Sequence, residues 1–486
     1  MSQNSDWKFN HTYSQLPESF FTLQNPDTAP DPKLVVWNEQ LADELGLELS
    51  KYSSKELADI FSGNKIPEGA KPLAQAYAGH QFGHFTMLGD GRAVLLGEVI
   101  GKDGKSYDIQ LKGAGRTPYS RGGDGRGTLH SMLREYLMSE SLYGLGIPTT
   151  RSLAVTQTGE QVFRQTSNEG GILTRVAQSH VRVGTFEYAQ YFGSGRDVTT
   201  LIDYTIQRHY PELSGTENPP LELLDKVADM QIKLVTEWLR TGFIHGVMNT
   251  DNTSVSGQTI DYGPCAFMNA YDPATVFSSI DEGGRYAFCN QVKVIHWNLA
   301  VFAETLLGAI DEEPRKALEK AQAVINEIPR KIESERFKMM SAKLGIEKPD
   351  QKDGILIEGL LDLMKKYGAD YTNTFRAIAE DNFSDERFYQ SADFKEWRER
   401  HKKRIAQNPG GTDTAYTLMR GNNPAFIPRN HIVEKALEDF TEHNDRSTFD
   451  KLLMLMSDPY KNREGFDDHK RVPAGFDRGY QTYCGT

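Results

Sequence analysis

Cysteine is scarce in this chain: three residues in 486, at Cys265, Cys289 and Cys484. None belongs to a C-x-x-C pair, which excludes the usual zinc-site and disulfide-framework spacings and predicts reduced thiols. No apolar run approaches the ~20 residues that a membrane-spanning helix requires. The opening residues, MSQNSDWKFNHTYSQL, carry neither an apolar signal core nor an arginine-rich transit pattern. A bacterial-type cytoplasmic protein without membrane attachment is expected. Positive charge is short as well, with 55 Lys and Arg against 67 Asp and Glu, a net charge of −12. Nucleic acid is therefore not an expected partner, because neutralising phosphates needs a basic face. That balance leaves room for a local cationic pocket. The G-x-x-x-x-G-K-[S/T] loop is also missing, so any phosphate binding must use another device.

What is present is an ordinary globular composition, 38% apolar and 25% charged. The length exceeds one hydrophobic core, so two or three packed units are expected. Residues 1–84 mix short apolar pieces with prolines and read as an N-terminal extension. Residues 85–184 read as a β-rich lobe: FTML, the turn Gly89-Asp90-Gly91-Arg92, AVLLGEVI, a second glycine turn, then SYDIQLK, as a three-strand meander. In the last strand Tyr107, Ile109 and Leu111 alternate with Asp108, Gln110 and Lys112, which puts Lys112 on the face opposite the apolar one. A glycine-rich stretch, GAGRTPYSRGGDGRG, precedes a helix starting near Thr128 and stopped by Gly144, Gly146 and Pro148. Residues 185–405 read as a helical lobe, and 406–486 as a further helical region and tail. One buried helix, LELLDKVADMQIKLVTEWLRTGF, leads straight into HGVMNTDN.

The order of the polar residues carries more than any one of them. A glycine turn (Gly89, Gly91) is followed by a strand lysine, Lys112, and a helix glutamate, Glu135. His245 comes later with Asn252 seven residues beyond, then Asp261-Tyr262-Gly263. Protein kinases use such a series in this order: glycine loop, strand lysine, helix glutamate, H-R-D-x-x-x-x-N and D-F-G. Singly, Lys112 reads as an exposed lysine, Glu135 as a solvated helix charge and Asp261 as a turn former. Jointly, they predict an α+β, atypical protein-kinase-like bilobal fold with N- and C-terminal extensions. Glycine amides approach phosphate closely, the lysine–glutamate pair offers a fixed cation, and Asn252 with Asp261 offers hard oxygens for Mg²⁺ or Mn²⁺. One position departs from the series. Val247 stands two residues after the histidine, where a kinase has its catalytic aspartate, and the nearest carboxylate is Asp251. His80 and His84, in GHQFGH, have a metal-like spacing, but the glycines beside them favour a structural role.

The blocks YAGHQFGHFTMLGDGRAVLLGE, QLKGAGRTPYSRGGDGRGTLHSMLREYL, HGVMNTDN, DYGP, NPAFIPRNH and the terminal YCGT resemble the selenoprotein O (SelO, or YdiU) group of protein nucleotidyltransferases. The resemblance spans nearly the whole chain. It implies ATP bound inverted relative to a kinase, with AMP transferred to Ser, Thr or Tyr hydroxyls of proteins and pyrophosphate released. It also implies UMP transfer from UTP by some members, and the protein itself as one acceptor. By motif, Gly89, Gly91 and Arg92 would contact nucleotide, Lys112 would hold phosphate and Glu135 would orient Lys112. Asp124 and Gly125 would line the inverted nucleotide, and Arg175 and Arg182 would grip its phosphates. Asn252 and Asp261 would bind Mg²⁺ or Mn²⁺, and Asp251 would accept the proton. Cys484 stands where animal members carry selenocysteine, which implies a redox role. Two other readings stay open at this point: a phosphotransferase that uses Asp251, and a non-catalytic pseudokinase scaffold that binds nucleotide for shape.

Overall fold

The computed structural model describes residues 7–483, so Cys484 lies outside the described residues. Its N-terminal part is β-rich. The strands are β1 (Phe21–Leu23), β2 (Lys33–Trp37), β3 (Leu73–Gln75), β4 (Ala78–Gln81), β5 (His84–Met87), β6 (Ala93–Ile100), β7 (Ser106–Lys112), β8 (Gly127–Thr128), β9 (Arg151–Phe163) and β10 (Ser167–Ala177). Eight of them form one sheet in the order β1-β3-β6-β7-β10-β9-β2, with β8 beside β10. The residues before Phe85 thus supply both borders of the sheet. FTML does not open the meander expected for it. As part of β5 it pairs back onto β4 in a separate two-stranded ribbon, because the Phe82–Gly83 turn closes the hairpin before Gly89 is reached.

Helices α1 (Glu39–Glu44) and α2 (Ser54–Phe61) cover one face of the sheet, where Leu41, Leu57, Ile60 and Phe61 meet Ile109, Leu111, Ile172 and Val176. Helix α3 (Leu129–Gly144) packs on the other face, with Leu129, Met132 and Leu133 against Val155 and Leu173. The Thr128 hydroxyl accepts from Ser131 N–H (3.2 Å) and starts that helix. Gly171 lets β10 approach it: a Cβ there would stand 2.7 Å from Leu129 Cα. This close seat carries Glu135 to the strand lysine. Lys112 does face away from the apolar side of β7, but that second face is buried too, with Asp108, Gln110 and Lys112 at 1%, 0% and 4% exposure.

The remainder is helical: α4 (Val183–Phe192), α5 (Gly195–His209), α6 (Pro219–Thr241), α7 (Gln291–Ile310), α8 (Pro314–Lys343) and shorter helices after them. The later helices Asn430–His443 and Ser447–Met456 return to the β-rich part and pack on α3, with Phe449 against Tyr136. Helix α6 ends at Gly242 in the left-handed region (φ 77°). Directly after it, β11 (Phe243–Ile244) pairs with β12 (Ala266–Phe267). Residues 245–265 are therefore one loop with its ends tied together. The loop is stitched to the β-rich part by Thr150 N–H to Thr259 O and Thr259 N–H to Pro148 O (both 2.9 Å). Among the described residues no helix is long and apolar enough to cross a membrane.

Two buried histidines each contribute less to stability as the pH drops. His401 stacks on Trp397, accepts from Arg398 Nη1 (2.5 Å) and reaches Leu344 O through Nε2 (2.7 Å). Burial, aided by Arg398, lowers its pKa to about 4. Burial also lowers His180 to about 4, against the opposing pull of Asp108. Unfolded, both groups protonate near 6.5, so between pH 6.5 and 4 each takes up its proton more readily in the unfolded chain and contributes a loss of stability as the pH drops, which the raised Asp90 and Asp251 oppose. The expected slope is about 1.4 kcal/mol per pH unit for each histidine. Urea unfolding at a series of pH values checks this, and His401→Gln should lower the slope by about 1.4 kcal/mol per pH unit.

Candidate active site

Strand β7, strand β10, helix α3 and the 245–265 loop converge on Asp261. This residue adopts a left-handed conformation (φ 64°), uncommon for a residue with a side chain. The next residue holds it there: Tyr262 is buried, with its hydroxyl bonded to Thr149 (2.5 Å) and Thr150 (2.7 Å). Lys112 Nζ donates to Glu135 Oε1 (2.5 Å) and to Asp261 Oδ1 (2.6 Å). Arg175 Nη1 donates to the same oxygen (2.7 Å), while its Nε and Nη2 donate to Gln110 Oε1 (3.2 and 2.6 Å). Arg182 Nη1 lies 3.6 Å from Asp261 Oδ2 and donates to the backbone carbonyl of Asp251 (3.0 Å). Its guanidinium rests 4.3 Å above the Tyr77 ring.

Burial by itself would raise the Asp261 pKa, but Lys112, Arg175 and Arg182 together hold it well below the usual carboxylate range. Two further carboxyl groups nearby behave in the opposite way. Burial pushes Asp90 up to about 6 and Asp251 up to about 7, each against the pull of Arg182. Three cations, Lys112, Arg175 and Arg182, therefore gather around Asp261, with Glu135 paired to Lys112. The centre attracts anions even though the whole chain is acidic.

These groups line a cavity of about 790 Å³, large enough for a nucleotide, together with Gly89, Gly91, Arg92, Asp124 and Gly125. The glycine turn is packed under the 113–126 loop. A Cβ on Gly89 would stand 2.5 Å from the Tyr119 ring, and Ser120 Oγ donates to Gly91 O (2.5 Å). Asp124 sits at the rim and takes a bidentate ion pair from Arg164 (2.8 and 3.0 Å). Beside it, Gly125 touches the Gly115 backbone too closely for any side chain.

Asn252 donates from Nδ2 to Val247 O (3.0 Å), which turns its Oδ1 the other way. Asp261 keeps a quarter of its side chain exposed. Among the described residues no three His, Cys, Asp or Glu side chains form a cage for a metal ion. Two hard oxygens, Asn252 Oδ1 and Asp261, do fit a Mg²⁺ or Mn²⁺ ion that completes its shell with phosphate and water. Asp251 lies beside them, with Oδ1 buried and without a hydrogen-bond partner. Gly79 packs against it, and a Cβ there would stand 2.6 Å from that oxygen.

The lining thus includes every nucleotide, metal and proton-acceptor residue named from the sequence within the described range. Several participants had no such reading. Asp90, inside the glycine turn, accepts from Gln75 N–H (3.1 Å) and Gln110 Nε2 (3.0 Å). Arg134, next to Glu135, donates to Gly263 O (3.2 Å) and Cys265 O (2.7 Å) and so fixes the loop after Asp261. His80 pairs through Nδ1 with Glu187, while His84 is exposed on the next strand. A charged residue within a glycine turn, and an arginine beside a core-facing glutamate, were the available signals.

A family model described as protein adenylyltransferase SelO matches residues 3–457. The protein nucleotidyltransferase YdiU of Brevibacillus brevis is 53% identical over 480 residues, covering 99% of this chain and 98% of its own length. Its counterpart in Nitrosococcus oceani is 52% identical over 484 residues (100% and 98%), and that of Anoxybacillus flavithermus 52% over 483 (99% and 100%). With a family match over nearly its whole length, and more than half of its residues shared with each of these relatives, the chain belongs to the SelO family of protein adenylyltransferases.

Proposed function

We propose that this protein transfers AMP from ATP to a Ser, Thr or Tyr hydroxyl of an acceptor protein, with ATP bound polyphosphate-first in a kinase-like cleft. The observation that carries the reading is the convergence of Lys112, Arg175 and Arg182 on one carboxylate at the deep end of the cavity. That end has guanidinium and ammonium groups, and Gln110 with Arg175 fills the strand face beside Lys112. It suits phosphates better than a purine. Of the aromatic rings that line the cavity, Tyr77 is covered by Arg182 and Tyr262 is tied to Thr149 and Thr150, which leaves Tyr119, Tyr480 and Tyr483 as rings against which a base can lie. The deep cations read no base, so UTP enters by the same logic and UMP transfer follows from it.

In the proposed step the acceptor oxygen forms a bond to the α-phosphorus, the α–β bridging bond breaks and pyrophosphate leaves. Asp251 takes the hydroxyl proton and passes it to solvent. With a pKa pushed up to about 7 it is matched to that task near neutrality. Arg175, Arg182 and Lys112 stabilise negative charge that builds on the phosphoryl oxygens and the leaving group. A divalent ion held by Asn252 and Asp261, when bound, would supply further charge neutralisation there. Incubation with ATP labelled at the α- or the γ-phosphate tests the reading. Label from the α-position is expected in acceptor protein and in the enzyme itself, and γ-label appearing in protein would establish phosphotransfer instead.

A further inference from the structure

Strands β4 and β5 form a ribbon detached from the main sheet, and β4 is fixed to the loop that carries Asp251. His80 N–H donates to Thr250 Oγ1 (2.7 Å), Phe82 N–H donates to Asn249 Oδ1 (3.1 Å), and Gly79 packs on Asp251. Phe82 and Gly83 both have positive φ (51° and 87°), as a two-residue hairpin turn requires. One side of the ribbon is therefore rigidly attached to the reaction centre.

The other side is open. The closing pair of such a hairpin, Gln81 and His84, is hydrogen-bonded, and so is every second pair after it: Gly79 with Thr86, then Tyr77 with Leu88. Leu88 N–H donating to Tyr77 O (3.1 Å) fits that phase. Phe85 and Met87 fall in the intervening pairs, so their N–H and C=O groups point away from β4, and no strand pairs with that edge among the described residues. Their side chains are 38% and 47% exposed. The Phe85 ring lies 4.5 Å from Tyr191 and 6.1 Å from Phe192, which are themselves 59% and 49% exposed at the end of α4. An uncovered edge with aromatic neighbours is a feature that soluble proteins usually blunt.

We propose that this edge of β5 docks an extended segment of the acceptor protein as a third strand and brings its hydroxyl to Asp251. The inference rests on the protein-acceptor reading above. Main-chain bonds to Phe85 and Met87 would give affinity without fixing sequence, and alternate side chains would supply selectivity. Thr86 and His84 share the ribbon face of Gly79, which packs on Asp251, whereas Phe85 and Met87 share the opposite face. The docked segment therefore has a hydroxyl residue on the Asp251 face, flanked on both sides by apolar residues that meet Phe85, Tyr191 and Phe192. Two strand spacings of about 4.8 Å separate it from β4, which favours tyrosine, the hydroxyl side chain of longest reach.

The test uses full-length protein with α-casein as an unfolded acceptor. Amide hydrogen exchange is followed with a non-transferable ATP analogue, and casein labelling is measured with ATP and Mn²⁺. The amides of Phe85 and Met87 should gain at least about tenfold protection when casein is added. Met87→Pro removes an outward N–H without touching the ribbon's own bonds, and Tyr191→Asp spoils the aromatic face. Each should lower kcat/KM for casein at least about tenfold, with the Kd for ATP unchanged. Wild-type labelling without protection of these amides, or full activity in both variants, overturns the docking site and leaves the AMP-transfer reading standing. Protection without any transfer of label supports the docking site and rejects that reading.

Discussion

Asp261→Ala is expected to abolish AMP transfer, by about 10³-fold or more, while metal-free nucleotide binds as tightly as to the wild type or more tightly. The reason lies in the shared carboxylate. Asp261 Oδ1 accepts from both Lys112 and Arg175, and Oδ2 faces Arg182. Without it three buried cations face one another with Glu135 as the remaining counter-ion beside Lys112, and a triphosphate becomes the natural substitute. The free protein should lose about 3–5 kcal/mol of stability, the usual cost of stripping a buried charge cluster of a partner. Nucleotide should restore much of that loss, because it binds only the folded form. Thermal unfolding with and without ATP and chelator, beside a labelling assay, separates the effects. An alanine variant with normal stability and normal transfer would contradict the account of the site.

The second large effect is expected at Asp251. Asp251→Asn keeps shape and volume but removes the proposed proton acceptor, so kcat should fall by about 10²–10⁴ with little change in KM for ATP. The same substitution should stabilise the protein at pH 8. Burial raises Asp251 to about 7, so between its ordinary 3.8 and 7 the native state holds a proton that the unfolded state has released. Stability contributed by this group therefore falls as pH rises through that window, and the ionised form is a net cost above it. Asparagine carries no such cost. Activity traded against stability at one buried, unpartnered oxygen is the signature of a functional group. Denaturant unfolding at pH 8 with single-turnover kinetics checks both halves.

Much of the site was legible because its residues lie on elements with strong local signals. The alternation in SYDIQLK put Lys112 opposite the apolar face, and the stripe of α3 put Glu135 within reach. Both hold in three dimensions. The spacing of HGVMNTDN and DYGP pointed to Asn252, Asp251 and Asp261, which the β11–β12 pairing brings to one place. Long-range partners left no such trace. Nothing local announces that Arg134 fixes Gly263 and Cys265, or that His80 serves Glu187 across more than a hundred residues. The strand pairings of residues 1–84 were equally hidden, because three- and five-residue strands are too short for a periodic signal. FTML misled for a related reason. Its apolar pattern announces a strand, but the Phe82–Gly83 turn decides the partner.

The placement of those first strands bears on the order in which the chain is made. β2 leaves the ribosome well before β9, the strand it pairs with, where Lys33 lies opposite Gln157. At about 5–20 residues per second, it waits many seconds for its neighbour. The helices that brace α3 come later still, at Asn430–His443 and Ser447–Met456. A nascent or clipped chain therefore has Lys112, Arg175 and Arg182 long before it has the walls that hold them in place, and transfer competence should arrive abruptly, once those late helices are made.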